Sequence, residues 1–263
     1  MPVEPSQPDL APDVASPPVE QPAPAAPTQT PLAARLVAIA EVTLCSGFPT
    51  QLGLGAVLIL IGASPQAAEG QLSLAYIVVL SFADAALVLL LVWLLLRAHS
   101  ENVFGTLCGT HPVRREALVG LALVPAVFVL VAVTFSVILW VPPWLHNVEE
   151  NPLEALMQSP GDAVWFGLVA VVFGVLREEV QRGFILRRFE QQLGGGITGL
   201  VVFSVAFGLG HVLQGWDAAI VTGLLGAFWG SVFLRRRSIV APIVCHAIFN
   251  LVEILIAYRA NVG

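Results

Sequence analysis

The sequence predicts an all-α fold: a polytopic membrane bundle of about seven transmembrane helices, within a range of six to eight. Three observations carry this. The 263 residues are 57% hydrophobic and only 11% charged, with a mean hydropathy of +0.83, where a soluble domain carries roughly 25% charged residues. Apolar stretches near the 20 or so residues that cross a bilayer as a helix recur along the chain. Lipid admits only helices or closed barrels as spanning structures, and these runs are too long and continuous for barrel strands.

The elements follow in order. Residues 1–31 hold ten of the nineteen prolines. They lack a basic stretch followed by an apolar one, so they do not read as a secretory signal peptide. Their composition predicts a disordered, Pro/Ala-rich tail of polyproline II character. The first span, Val42 to Ala63, is interrupted by "GFPTQ", so it is expected to begin near Leu32 and bend. Ser73 to Leu96 carries only Asp84, and Ala117 to Val141 carries no charge. Ala163 to about Arg188 runs without a break from apolar residues into Arg177, Glu178, Glu179 and Arg182, and reads as one long helix. Ile197 to Leu213 and Ala218 to Leu234 are short, and Ile239 to Tyr258 carries His246 and Glu253. The division is a tail over 1–31, N-terminal membrane helices over 32–162, and the helices that carry the candidate chemistry over 163–258.

The loops predict the orientation. All twelve basic residues are arginine. Arg35, Arg97, Arg114, Arg115, Arg187, Arg188 and Arg235 to Arg237 fall on one side of the alternation. Glu69, Glu149, Glu150, Glu154 and Asp162 fall on the other, with Arg259. The positive-inside rule places the arginine loops and the tail in the cytoplasm, with Arg187 and Arg188 anchoring the end of their helix. The net charge of −6 resides in the tail and loops and does not suggest a nucleic-acid partner. Cys45, Cys108 and Cys245 lack metal-type spacing and read as small buried residues.

Ionisable groups inside spanning helices are costly, and they are candidates for function. Glu178, Glu179 and Arg182 lie on the fourth span, His211 closes "FGLGH" on the fifth, and His246 and Asn250 lie in "HAIFN" on the seventh. His246 and Asn250 share a helix face, as do Phe207 and His211; Glu178 and Arg182 can pair by the same spacing. At 1.5 Å per residue, Glu178 lies roughly 15 Å from the cytoplasmic end of its helix, His246 about 10 Å, Asn250 about 16 Å and His211 about 21 Å. One mid-membrane site fits these depths. A carboxylate with two imidazoles and an amide suits hydrolysis: the carboxylate takes a proton from water, and the histidines bind a metal or steady an oxyanion. Each residue alone also has a structural reading, an interhelical hydrogen bond for either histidine and an ion pair with Arg182 for Glu179. Asp84 and Glu253 join no evident constellation. "QGWD", Gln214 to Asp217, reads as a loop with Asp217 as helix N-cap rather than as part of the site.

The order "EEVQR", "FGLGH", "HAIFN" resembles the CAAX prenyl protease and bacteriocin-processing (CPBP, Abi) family of intramembrane proteases. That family is marked by Glu-Glu-x-x-x-Arg, Phe-x-x-x-His and His-x-x-x-Asn on successive helices. The resemblance covers roughly Ala163 to Val252. Phe207 to His211 and His246 to Asn250 match, but only Val180 and Gln181 separate Glu179 from Arg182. Counting from the glutamates makes Glu178 the base. Counting from Arg182 and Gly183 places Arg177 at the first glutamate and Glu178 at the second. The resemblance implies hydrolysis of a peptide bond in a membrane-associated protein or peptide. Glu178, with Glu179 beside it, would activate water; His211 and His246 would bind a divalent metal such as zinc or stabilise the oxyanion; Asn250 would complete that stabilisation, with Arg182 and Phe207 in support. The composition suggests a bacterial inner membrane. The alternative is a noncatalytic relative serving as a membrane scaffold, immunity factor or regulator.

Overall fold

Hydropathy and punctuation set the helices of the computed structural model, which describes residues 31–67, 72–141, 143–148 and 153–262. The tail read over 1–31 lies outside them except for Pro31, as do Glu69, Glu149 and Glu150. Helix α1, Leu32–Leu44, stops at Cys45 to Gly47; α2, Phe48–Leu60, restarts with Pro49 in its first turn. Gly47 makes the turn at φ +85°, and the two helices bend by 45°. This is the break that "GFPTQ" announces.

The rest are α3, Leu74–Ala98; α4, Val103–Cys108; α5, Val113–Trp140; α6, Pro160–Gly167; α7, Val175–Gln192; α8, Gly196–Leu209; α9, Trp216–Arg236; and α10, Val240–Val262. A π-helical segment, Leu168–Gly174, joins α6 to α7. The long helix expected from Ala163 is therefore three conformations in series. No proline or charge marks the change; wide turns of this kind leave no compositional signal.

Each of the seven apolar stretches falls on helix. Four helical runs are long and apolar enough to cross a membrane alone: α3, α4 with α5, α9 and α10; the bent α1–α2 pair makes a fifth. Of the others, α7 is charged and α8 has 14 residues, roughly 21 Å of rise against a 30 Å hydrocarbon core. Only 11% of the most apolar window of α5 is buried within the protein. A helix so exposed and so apolar has lipid as its solvent, and the chain is an integral membrane protein.

Apolar packing forms two bodies. One gathers Val88, Val92 and Leu96 of α3 with Val180, Phe184 and Leu186 of α7 and Phe203 of α8. The other gathers Val127 of α5, Val221, Leu225 and Trp229 of α9, and Phe249 of α10. Small residues let the backbones approach: a Cβ on Gly208 would stand 2.5 Å from the Ala219 carbonyl oxygen, and one on Gly120 2.5 Å from that of Ala241.

Charge knits the arginine-bearing ends. Glu116, fully buried at the start of α5, receives Nε and Nη2 of Arg236, both at 2.6 Å. Arg188 is also buried, contrary to its reading as an interface anchor. Its Nε donates to Glu41 at 2.6 Å, and its Nη1 to Glu101 at 2.5 Å and Gln191 at 2.8 Å. His99 meets the other oxygen of Glu41 at 2.6 Å. Hydropathy identifies a charge pair at a helix end but not the carboxylates, 87 and 147 positions away, that take it inward.

Candidate active site

Helix α7 packs within the first of the two apolar bodies, and its first two turns carry the charged residues. Adjacent residues on a helix point about 100° apart, so Glu178 and Glu179 enter different surroundings. Glu179 faces the interior: it is buried and pairs with Arg182 and His246. Arg182, fully buried, holds Glu179 across one turn. Of the two partners open to Arg182, Glu178 and Glu179, the structure takes Glu179 in an i,i+3 pair. The guanidinium of Arg182 lies over three rings, Phe203 at 5.3 Å, Phe207 at 5.1 Å and Trp229 at 5.6 Å. Its Nε and Nη2 have no hydrogen-bond partner, and these π faces are what surrounds the charge.

His246 is fixed on both sides. Its ring stacks on Trp229 with centroids 3.8 Å apart and planes 19° apart. Its Nδ1 lies 2.9 Å from Glu179 Oε1. A carboxylate paired with arginine only accepts, so Nδ1 carries the hydrogen. That leaves Nε2 with its lone pair, 3.9 Å from Glu178 Oε2. The gap exceeds a direct hydrogen bond.

His211 is oriented the same way by different means. Its Nδ1 donates to the Phe207 carbonyl oxygen at 2.9 Å. The Phe207 ring meets the His211 ring edge-on at 5.1 Å. Phe207 therefore touches both Arg182 and His211, a physical reason for an aromatic four residues before this histidine.

Glu178, Arg177, Gln181, Phe207, His211 and Gln214 line one cavity of about 440 Å³. The structure thus brings Glu178 and His211 to a common space, sets His246 beside Glu178, and keeps Glu179 behind as the partner of His246 and Arg182. Asn250 lies one turn along α10 from His246, half-buried, with no hydrogen bond to another described residue.

Four positions depart from expectation. Asp84 does belong to a constellation: Arg177 Nη2 lies 2.8 Å from it, Thr50 Oγ1 2.5 Å and Gln51 Nε2 3.2 Å. Gln214 lines the cavity instead of belonging to an unrelated loop. Asp217 is not the N-cap, a place taken by Gly215; it lies buried in the first turn of α9 and meets His146 Nδ1 at 2.5 Å. Gln181, passed over in the sequence, donates to the Cys45 carbonyl at 2.7 Å and ties α7 to the α1–α2 bend. Its signal was there: an amide three residues from Glu178 on a membrane helix.

A zinc ion would call on His211 and His246. Among the described residues no three His, Cys, Asp or Glu side chains converge at metal-ligand spacing. His246 donates Nδ1–H to Glu179 and His211 donates Nδ1–H to a carbonyl, which leaves each Nε2 as the nitrogen that would face a metal, but no third ligand joins them among the described residues. The side chains as arranged do not make a three-ligand zinc site of the usual kind.

Comparison with known proteins gives a family match. Residues 160–252 match the family model described as "Rce1-like: Type II CAAX prenyl endopeptidase Rce1-like". No curated protein and no solved structure gives a significant match. The match spans α6 through most of α10 and contains all three motifs. Residues 160–252 are thus similar to the Rce1-like family, the likeness that "EEVQR", "FGLGH" and "HAIFN" also carry.

Proposed function

We propose that the protein is an intramembrane endopeptidase that hydrolyses a peptide bond of a membrane-associated protein or peptide. The observation that carries this reading is the position of Glu178: it shares a cavity with His211 and its Oε2 lies 3.9 Å from His246 Nε2. Glu178 takes a proton from a water in the cavity, and the resulting hydroxide attacks the peptide carbonyl carbon. The tetrahedral oxyanion needs donors, which His211 supplies once protonated and the Asn250 amide supplements. Proton transfer from Glu178 to the departing amide nitrogen completes the cycle. Glu179 acts through His246: by holding Nδ1–H it fixes the tautomer and turns Nε2 toward Glu178.

The arginine-rich loops support a cytoplasmic N-terminus, and the composition a bacterial plasma membrane. Cleavage assays on purified protein with membrane-proximal peptides test the reading. Glu178→Gln, His211→Ala and His246→Ala should each abolish cleavage while the protein stays folded. Full activity in Glu178→Gln would remove the base assigned here. Elemental analysis with a chelator arm tests the metal: one retained equivalent, with chelator-sensitive cleavage, would add zinc to these roles.

A second reading is favoured by Arg177, which lines the same cavity next to Glu178. Counted from Arg182 and Gly183, it occupies the place of the first glutamate of the motif. On that reading the chain is a noncatalytic scaffold, immunity factor or regulator, and the same peptides bind without being cut.

A further inference from the structure

A pocket of about 490 Å³ opens at the arginine-bearing end of the bundle and shares no residue with the cavity of Glu178. Arg187 and Arg237 line it with Asn102, Thr106 and Thr110, and no described carboxylate does. Both arginines are within reach of a ligand. The Arg187 side chain is 38% exposed and gives only Nε to Glu101, at 3.1 Å. That of Arg237 is 56% exposed and gives only Nη1 to Glu190. A guanidinium carries five N–H donors, so most of each fork is unspent. Asn102 takes the Gly105 N–H on Oδ1 at 2.7 Å, which leaves its Nδ2 hydrogens as donors. The Thr106 and Thr110 hydroxyls make no hydrogen bond to a described residue.

Backbone contacts fix the floor of this pocket. Helix α4 closes on Gly109 at φ +68°, and a Cβ there would collide with the Arg237 carbonyl oxygen. The Ile239 N–H donates to the Leu107 carbonyl at 2.9 Å, which pins the chain after α9 to α4. The rim is apolar. Phe104 and Val113, 65% and 52% exposed, flank the lining residues in sequence. Both belong to the run Val103–Trp140, which is long and apolar enough to cross the membrane. Arg35, Arg97 and Arg235, exposed on the same side, pair with no described carboxylate and add positive charge to this face. A donor-rich pocket beside lipid-facing side chains sits where headgroups meet acyl chains, and basic pockets between helices at that level hold anionic headgroups.

We propose that this pocket binds the phosphate of an anionic phospholipid headgroup, at the junction of α4, α7 and α9. Arg187 and Arg237 take the phosphate oxygens through their unspent N–H groups, and the hydroxyls of Thr106 and Thr110 complete the donor set. Glu101 and Glu190 hold the two guanidinium groups in place from outside the lining. A zwitterionic headgroup offers the same phosphate with a cation attached, which the two arginines repel. The site does not depend on the peptide chemistry proposed above.

Competition binding on the full-length protein in a nonionic detergent tests this. A fluorescent short-chain phosphatidylglycerol is bound and followed by anisotropy. It is then displaced by unlabelled phosphatidylglycerol, by phosphatidylcholine with the same chains, or by glycerol phosphate. Phosphatidylglycerol should displace the probe at about tenfold lower concentration than phosphatidylcholine. Glycerol phosphate, which has the anion without the chains, should compete far more weakly than either. Arg187→Gln and Arg237→Gln should each weaken phosphatidylglycerol binding about fivefold, with an unchanged thermal midpoint. Neither change strands a buried carboxylate: Glu101 keeps Arg188 at 2.5 Å, and the Glu190 side chain is 22% exposed. Arg35→Gln removes an exposed arginine outside the pocket and should change binding by less than about twofold. Equal displacement by the two lipids overturns the proposal, as does wild-type affinity in the Arg187→Gln/Arg237→Gln double variant. A loss in Arg35→Gln as large as in Arg187→Gln overturns it in favour of diffuse charge. Glycerol phosphate competing as well as the lipid overturns it in favour of a free phosphate.

Discussion

Glu179 holds His246 by Nδ1 at 2.9 Å, and that bond turns Nε2 of the same ring toward Glu178. Two neighbouring carboxylates thus take opposite sides of one imidazole. The division of labour predicts that they fail differently. Glu178→Gln keeps the packing and should lose about 10²- to 10⁴-fold in cleavage rate with an unchanged thermal midpoint. Cleavage and thermal unfolding measured on one preparation check this.

Glu179 is a stability residue first. Glu179→Ala leaves Arg182 buried without its counter-charge, an effect of roughly 3–5 kcal/mol. The variant should unfold well below the wild type. Glu179→Ala combined with Arg182→Met should regain much of that loss but not the activity, because His246 still lacks the acceptor that sets its tautomer. A double variant as active as the wild type would show that Glu179 does not act through His246.

Close approach of α8 and α9 depends on Gly208, where an added Cβ meets a backbone carbonyl rather than a movable side chain. Gly208→Ala should destabilise by about 1–3 kcal/mol. It should also lower activity, since α8 ends just before His211. Gly53→Ala, which has nothing within 4 Å, is the matched control and should leave both unchanged.

Acid should loosen the arginine-bearing end. Burial would raise the Glu101 carboxyl, but hydrogen bonds and charge from Arg188 and Arg187 outweigh it and hold the group below its ordinary 4.5. A folded value depressed below the unfolded one contributes stability that is complete above the unfolded value. That contribution is lost as pH falls through the folded value. Thermal midpoints recorded from pH 7 downward should fall below about 4.5, with a smaller fall in Glu101→Gln, which starts lower. Identical pH profiles for the two proteins would remove Glu101 from the account.

Hydropathy made the membrane class and the helix positions legible, because lipid imposes one rule on a whole stretch. The three polar motifs were legible too, since i,i+4 spacing survives on any regular helix. Partner choice was not. Asp84 gave no sign of Arg177, 93 residues on, because which faces of α3 and α7 meet depends on packing that a single sequence does not show. Arg188 looked like an anchor because its carboxylates are remote in the chain. Glu179, not Glu178, took Arg182, since i,i+3 and i,i+4 pairs are near-equivalent on a helix surface and burial decides between them.

The π-helical turns at Leu168–Gly174 separate the lipid-facing start of this element from its chemical end. Hydrogen bonds there reach five residues instead of four, so a residue can be gained or lost without breaking the rod. Removing one from this stretch would swing the two halves by about 100° relative to each other, yet leave the spacing from Arg177 to Arg182 untouched. The two halves are free to drift in angular phase, one set by its neighbours in the bilayer and the other by the charged partners of α7. A lineage could thus turn the lipid-facing half without disturbing the spacing of the charged one.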